Sequence, residues 1–122
     1  MLKLSPHLDL VLSKMKDRDQ RSCNPNTIVD QTGKMTIFAC AGSTKNVHVV
    51  RNKQNESCGI IMWLGTNRAT EIVLDWDDTY TLRRYRIIVS GKNAGAIITE
   101  AEINGVYCDQ LTELVYSISC WK

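Results

Sequence analysis

Apolar and polar positions alternate in short runs along most of this chain from about residue 27 onward. Seven runs of strand length are separated by polar or glycine-containing turns, and they cover residues 35–40, 47–51, 59–64, 70–75, 84–90, 96–103 and 114–121. A weaker run lies at 27–29. Short strands at regular spacing, without helices between them, indicate an antiparallel sandwich or barrel. We therefore predict an all-β fold, an antiparallel β-sandwich of seven to eight strands.

The first segment has a different period. Its apolar residues recur at helical spacing, at Leu4, Leu8, Val11, Leu12 and Met15. Ser5-Pro6 provides an N-cap and a first-turn proline, so the pattern predicts one amphipathic helix over about 6–17. A boundary near residue 22 divides this segment, 1–22, from a β domain at 23–122. Two interpretations stay open: a helix packed on the sheet, or a helical pro-segment cleaved within the charged run 16–21.

The strongest β pattern lies at 71–90, where two strand-like runs flank a polar loop. Trp76 stands at the end of the first run, directly before Asp77, Asp78 and Thr79. A tryptophan beside a turn can bury a large apolar surface between two layers of sheet. We therefore predict that Trp76 is a buried structural anchor and that the loop after it is exposed.

Length and charge limit the classes of function. With 122 residues the chain is long enough for one core, and we expect a single globular β domain and a monomer. A net charge of +2 gives no electrostatic argument for a nucleic-acid partner. No apolar run approaches the roughly 20 residues that span a membrane. We therefore predict neither a nucleic-acid nor a membrane partner.

The cysteine content points to an oxidising compartment. Five cysteines are widely spaced and none belongs to a CxxC pair, while there are only two histidines. This layout disfavours a zinc site and favours disulfides between distant strands. The triplet Asn55-Glu56-Ser57 also fits a glycosylation sequon. Secretion is the prediction that these features share.

The chain carries no recognisable active-site pattern. Cys40 and His48 could meet on neighbouring strands, but no third residue is evident to orient them. The carboxylates around Trp76 lack the spacing of a calcium loop and suit a turn. Arg83 and Arg84 fit a solvated strand face. We predict no catalytic residue, no metal and no cofactor, and therefore a protein that is not an enzyme.

Three short segments resemble the ToxA-like family of secreted fungal effectors, which includes secreted-in-xylem proteins of Fusarium. Ser22-Cys23 opens the β region much as the mature toxin begins with Ser-Cys. The run Trp76-Asp77-Asp78-Thr79-Tyr80-Thr81 resembles the family's Trp-Asp-x-Thr-x-Thr loop, and Gly105-Val106-Tyr107-Cys108 resembles its Gly-small-aromatic-Cys strand. The resemblance covers roughly 22–122. It implies a β-sandwich, a pro-domain cut by a kexin-type protease, and a disulfide between Cys23 and Cys108.

The chain departs from the family at two points. Leu82-Arg83-Arg84-Tyr85 stands where the toxin has Arg-Gly-Asp, so uptake through that tripeptide is not implied here. The run 16–21 contains no Lys-Arg pair, which leaves the cleavage site open. With Cys23 and Cys108 paired, the other cysteines suggest a second bridge between Cys58 and Cys120, with Cys40 as a free thiol. Four cysteines alone would allow three connectivities.

The resemblance implies a secreted fungal effector that acts without catalysis by binding a host plant protein, or that is detected by a host immune receptor. Action inside the host cytoplasm or nucleus stays open. We place the binding surface on exposed loops, at Asp77, Asp78, Thr79, Tyr80, Arg83, Arg84, Lys92 and Asn93. Leu8, Leu10 and Leu12 also form an LxLxL pattern similar to motifs that bind Topless-type corepressors. The alternative is an intracellular or viral accessory binding module with a fibronectin-III-like sandwich and reduced cysteines.

Overall fold

A computed structural model describes residues 21–41, 47–65, 67–88 and 90–119, without the side chain of Phe38. Its elements, in chain order, are α1 (Pro25–Thr32), α2 (Lys34–Ala41), β1 (Val47–Arg51), β2 (Ser57–Gly65), β3 (Arg68–Leu74), β4 (Tyr80–Ile87), β5 (Ile97–Val106), a 3-10 turn (Cys108–Gln110) and α3 (Leu111–Ser119). The predicted helix at 6–17, with the Leu8, Leu10 and Leu12 motif, lies outside these residues.

The five strands form one open antiparallel sheet whose spatial order is the chain order. Each strand is hydrogen-bonded to its neighbour in sequence, and Ile72 at the centre of the sheet lies opposite both Ile60 and Leu82. The five strands predicted between residues 47 and 103 are confirmed, with shifted ends. The seven- to eight-stranded sandwich is not confirmed, because the described strands make a single sheet.

Three of the predicted strands are wrong, because the runs at 27–29, 35–40 and 114–119 lie in α1, α2 and α3. The start of α1 had a readable signal. The Asn24 side chain accepts a hydrogen bond from the Asn26 N–H at 2.9 Å, and Pro25 occupies the first turn. Gly33 ends the helix with φ 94°, and its N–H donates to the Val29 carbonyl at 2.8 Å.

The C-terminal helix α3 is explained by burial rather than by local propensity. Leu111, Val115 and Ile118 recur at helical spacing, and all are buried. Their β-branched neighbours suit a strand equally well in isolation, which is why the sequence pattern alone is ambiguous. The helix forms because it places this one apolar face against the sheet.

The described helices pack against one face of the sheet. The core there is built from buried apolar side chains of all three helices and of strands β2 to β5: Ile28, Ile37, Ala41, Ile60, Met62, Ile72, Tyr80, Leu82, Val106, Leu111, Val115 and Ile118. The other face of the sheet carries a second buried cluster: Val50, Cys58, Ile61, Ala69, Val73, Tyr85 and Ile87. Both faces of the sheet are therefore buried along its centre.

Arg84 fastens α3 to the sheet. It is only 2% exposed, and its guanidinium donates from Nη1 to the Ile118 carbonyl at 3.2 Å and from Nε to Glu100 Oε1 at 3.1 Å. The last carbonyls of a helix lack partners within the helix, so a buried cation is well placed there. The hydroxyls of Thr70 and Ser119 lie 2.9 Å apart in the same region. Arg84 is therefore structural.

Candidate protein-binding surface

The turn between β3 and β4 spans residues 75–79 and is called here the Trp76 turn. The Asp75 N–H donates to the Thr79 carbonyl at 2.8 Å, and the Asp78 N–H donates to the Asp75 carbonyl at 3.2 Å. Asp78 has φ 65°, a left-handed conformation that Asp tolerates better than most residues. These contacts close the backbone into one defined shape.

Side chains hold the same turn from within. Asp77 Oδ1 accepts from the Thr79 hydroxyl at 2.6 Å and from the Thr79 N–H at 3.1 Å. These hydrogen bonds favour the ionised form, so they hold the pKa of Asp77 below its usual value. The buried Thr81 hydroxyl donates to the Asp75 carboxylate and also lies 3.0 Å from the Asn104 side-chain oxygen. The turn is therefore anchored to β4 and β5.

The chain before α1 runs alongside this turn. The Arg21 N–H donates to the Leu74 carbonyl at 3.2 Å, and the Cys23 N–H donates to the Ser57 carbonyl at 2.7 Å. The Arg21 guanidinium pairs with the Asp78 carboxylate, and both side chains are solvent-exposed. Exposed pairs of this kind contribute little stability, so the backbone bonds do most of the positioning.

Trp76 itself points to solvent, and its side chain is 69% exposed. The prediction of a buried anchor is therefore wrong. Tyr80 is the aromatic residue that is buried at this end of the sheet instead, with its hydroxyl donating to Gln31 Oε1 of α1 at 2.7 Å. The core position next to the turn is thus occupied by Tyr80.

A second exposed aromatic lies at the same end of the sheet. Tyr80 at the start of β4 pairs with Val106 at the end of β5, so Tyr107 leaves the sheet beside the Trp76 turn. Tyr107 is 62% exposed, and its N–H donates to Gln110 Oε1 at 3.0 Å. We call this surface the aromatic end; its exposed residues are Trp76, Asp77, Asp78, Tyr107 and Asp109.

The residues predicted from sequence to bind a partner do not form one surface. Asp77 and Asp78 are exposed in the Trp76 turn, as expected of a loop, whereas Thr79 and Tyr80 are buried. The others lie elsewhere: Arg83 and Arg84 within β4, and Lys92 and Asn93 in the exposed β4–β5 loop at the opposite end of the sheet. The predicted loop from Asp77 to Arg84 is therefore part turn and part strand.

Arg83 lies on the sheet face opposite Arg84 and also has structural partners. Its Nη1 donates to Glu71 Oε1 at 3.2 Å, and its Nε pairs with Glu102 on β5. The Tyr85 hydroxyl donates to the same Glu71 oxygen at 3.2 Å. Burial acts to lower the pKa of Arg83, but the Glu102 hydrogen bond and the neighbouring charges outweigh it, so the pKa is raised. Arg83 is thus held as a cation within the sheet.

Cys23 and Cys108 both lie near Tyr80. Burial raises the pKa of the Tyr80 hydroxyl, and the two cysteines raise it further. Burial also raises the pKa of the Cys23 thiol, against a smaller opposing effect of Arg21. The structure contains no disulfide among the described cysteines, Cys23, Cys40, Cys58 and Cys108. The Cys23–Cys108 bridge stays a prediction, as does Cys58–Cys120, whose second member lies outside the described residues.

Neither a metal site nor a membrane-spanning helix is found in the described part of the chain. It holds no group of three or more His, Cys, Asp or Glu side chains that could bind a metal ion. None of its helices combines the length and apolar character needed to cross a bilayer. No protein-family model, no curated protein and no solved structure matches the chain.

Proposed function

We propose that this chain is a non-enzymatic, effector-type binding protein that recognises a protein partner through the aromatic end. The observation that carries the proposal is Trp76, which is exposed on a turn fixed by hydrogen bonds from its own backbone and side chains. Large exposed aromatics on rigid supports are the residues that most often dominate binding energy at protein interfaces.

The rigidity of the support lowers the cost of binding. A flexible loop must lose conformational freedom when a partner docks, at roughly 1–2 kcal/mol per ordered residue. Residues 75–79 are already held by Thr79 and Thr81, so little of this cost falls on the complex. Trp76 can therefore contribute most of the free energy of burying its ring, which is typically about 2 kcal/mol or more for an interface anchor.

The charge of the aromatic end indicates which kind of partner surface would be complementary to it. The aromatic end also exposes the carboxylates of Asp77, Asp78 and Asp109, of which Asp78 is paired with Arg21. Hydrogen bonds from Thr79 lower the pKa of Asp77, so this carboxylate is ionised at neutral pH. The complementary surface is an apolar pocket rimmed by lysine or arginine, which would both accept the Trp76 ring and steer association.

The wider proposal is a secreted fungal effector that works as a monomer on a host plant protein or meets a host immune receptor. Its support is the resemblance of Trp76 to Thr81 to the ToxA-like loop, together with the position of Cys23 and Cys108 beside Tyr80. Contact with a Topless-type corepressor through Leu8, Leu10 and Leu12, and entry into the host cell, belong to the same proposal.

The test is quantitative capture from plant extract followed by affinity measurement on the recovered partner. Trp76→Ala is expected to weaken binding at least about 30-fold, the loss of an interface anchor worth about 2 kcal/mol. Tyr116→Ala is the matched control, since Tyr116 is an exposed aromatic on α3 that does not belong to the aromatic end. Equal affinity for the wild type and Trp76→Ala would refute the aromatic end as the binding surface.

Secretion has its own test. Alkylation in denaturant without reductant, followed by intact-mass measurement, counts the thiols that are not in disulfides, including the buried Cys58. Secreted material is expected to retain a single reactive thiol, Cys40, and to bridge Cys23 to Cys108 on peptide mapping. Recovery of all five cysteines as thiols from correctly folded, secreted protein would contradict this part of the proposal and favour the intracellular binding module.

A further inference from the structure

A cavity of about 470 Å³ lies between the first two helices and the β1 edge of the sheet. Its walls come from Pro25, Asn26 and Val29 of α1, Lys34 and Ile37 of α2, Val47, His48 and Val49 of β1, and Ile60 of β2. The cavity is partly open to solvent. Its volume falls within the range of about 300–1,000 Å³ that is usual for small-molecule sites.

The cavity is lined by more apolar than polar side chains. Six of the side chains are apolar, while the polar ones are Asn26, His48 and Lys34. None of the described residues that line the cavity is acidic. Burial lowers the pKa of His48, so this imidazole is neutral near pH 7 and Lys34 supplies the positive charge of the lining.

Lys34 lies at the start of a helix, and the helix dipole adds a second source of positive electrostatic potential there. It is the first residue of α2, a helix with no acidic residue in its first turn. The first N–H groups of a helix have no acceptor within the helix and carry its positive end. Lysine and helix start therefore favour an anion at one end of the cavity. The accessible valine walls, Val29, Val47 and Val49, favour an apolar body at the other, and the buried Ile37 and Ile60 lie behind them.

We propose that this cavity binds a small amphipathic carboxylate, such as a medium-chain fatty acid, with its tail against Val29, Val47 and Val49 and its carboxylate at Lys34. The site is separate from the aromatic end and does not depend on the proposed function. An apolar compound of the same length without the charge would gain the same wall contacts but no partner for Lys34.

The experiment uses decanoate and decan-1-ol as probes, at concentrations below micelle formation, with calorimetry and methyl NMR on the whole chain. Decanoate is expected to bind saturably and to shift the methyl signals of Val29, Val47 and Val49. Lys34→Gln is expected to weaken decanoate binding at least about tenfold, as for a lost hydrogen bond to a charged group, and to leave decan-1-ol binding unchanged. Lys92→Gln, an exposed lysine in the β4–β5 loop, is the matched control and should change neither.

Val49→Trp gives a second, steric test, because Val49 is partly exposed and a larger ring there fills the cavity. It is expected to abolish binding of both probes without loss of fold. The proposal is overturned if decanoate does not bind, if decanoate and decan-1-ol bind equally to the wild type, or if Lys34→Gln leaves decanoate affinity unchanged. Methyl shifts that an apolar peptide produces and decanoate does not would also overturn it, and would assign the cavity to a partner's side chain.

Discussion

Residues 75–79 and residues 80–84 are consecutive in the chain but have opposite roles. The first five residues form the Trp76 turn, which presents an exposed tryptophan and two exposed carboxylates. The next five begin β4, where Tyr80, Thr81, Leu82 and Arg84 are buried. The turn keeps its shape because Thr81 in the strand bonds Asp75 in the turn. Residues 80–84 thus stabilise the conformation of residues 75–79. Substitutions should separate the stabilising role of the strand from the binding role of the turn.

The largest effect on stability is expected at Arg84. Arg84→Met removes the buried cation that pairs with Glu100 and caps the Ile118 carbonyl. Breaking one side of such a buried pair typically costs about 3 kcal/mol or more, even though Glu100 keeps a second partner in Arg68. Chemical denaturation measures the free energy of unfolding.

Arg86→Met is the matched control for Arg84→Met. Arg86 belongs to the same strand and its side chain is exposed. Its loss is expected to change stability by less than about 0.5 kcal/mol. If both variants lose the same stability, the distinction between the buried and the exposed arginine fails.

A smaller loss of stability is expected at Thr81, which links the start of β4 to the Trp76 turn. Thr81→Val keeps the shape of the side chain but removes the hydroxyl that donates to Asp75. We expect a loss of about 1–2 kcal/mol in unfolding free energy, from one buried hydrogen bond. Partner binding should weaken as well, because the turn loses its anchor, though by less than in Trp76→Ala. Unchanged partner binding in a destabilised Thr81→Val would show that the turn does not depend on the strand.

The Trp76 turn should also respond to pH. Its Asp77 has a pKa lower in the folded protein than in the unfolded chain, so it stabilises the fold at pH values above its unfolded pKa of about 4. This contribution is lost as the pH falls from about 4 through the lower folded value. Wild type should therefore melt above Asp77→Ala at neutral pH, with the gap closing in strong acid. A gap that widens on acidification would contradict the assignment.

The smallest effect is expected at the exposed ion pair. Arg21→Met removes the partner of Asp78, and both charges are solvent-exposed. Such pairs contribute between about 0 and 1 kcal/mol and are screened by salt. We expect thermal unfolding to change little, and any change to vanish in high salt. A large change in melting temperature that persists in high salt would mean that Arg21 contributes more to stability than an exposed ion pair.

The sequence predicted the strands better than the helices, and the reason is physical. Strand β1 was placed correctly at 47–51 because polar turns bracket a short apolar run. The strand predicted at 114–121 is wrong over 114–119, because Val115 and Ile118 suit a strand locally, while their burial with Leu111 requires a helix. At α1, the Asn24-Pro25 pair is a helix-start signal that the prediction of a strand at 27–29 overlooks. Propensity alone could not decide these cases.

The candidate site was predicted only in part. Asp77 and Asp78 were expected on an exposed loop, and both are exposed. The orientation of Trp76 was predicted wrongly, because whether a tryptophan beside a turn packs inward depends on which neighbour fills the core, here Tyr80. The burial of Arg84 depends on α3, which lies far along the chain. Both outcomes are set by long-range packing, which a local pattern does not contain.

The central claim is that Trp76 is the residue that the partner covers. Acrylamide quenching of its fluorescence tests this directly, with the Trp76→Phe variant used to subtract the emission of the other tryptophans. In the free protein the Trp76 signal should be readily quenched, as its exposure requires. On binding the partner, the account predicts strong protection from acrylamide and a blue shift of the emission. Equal quenching in the free and bound protein would contradict it.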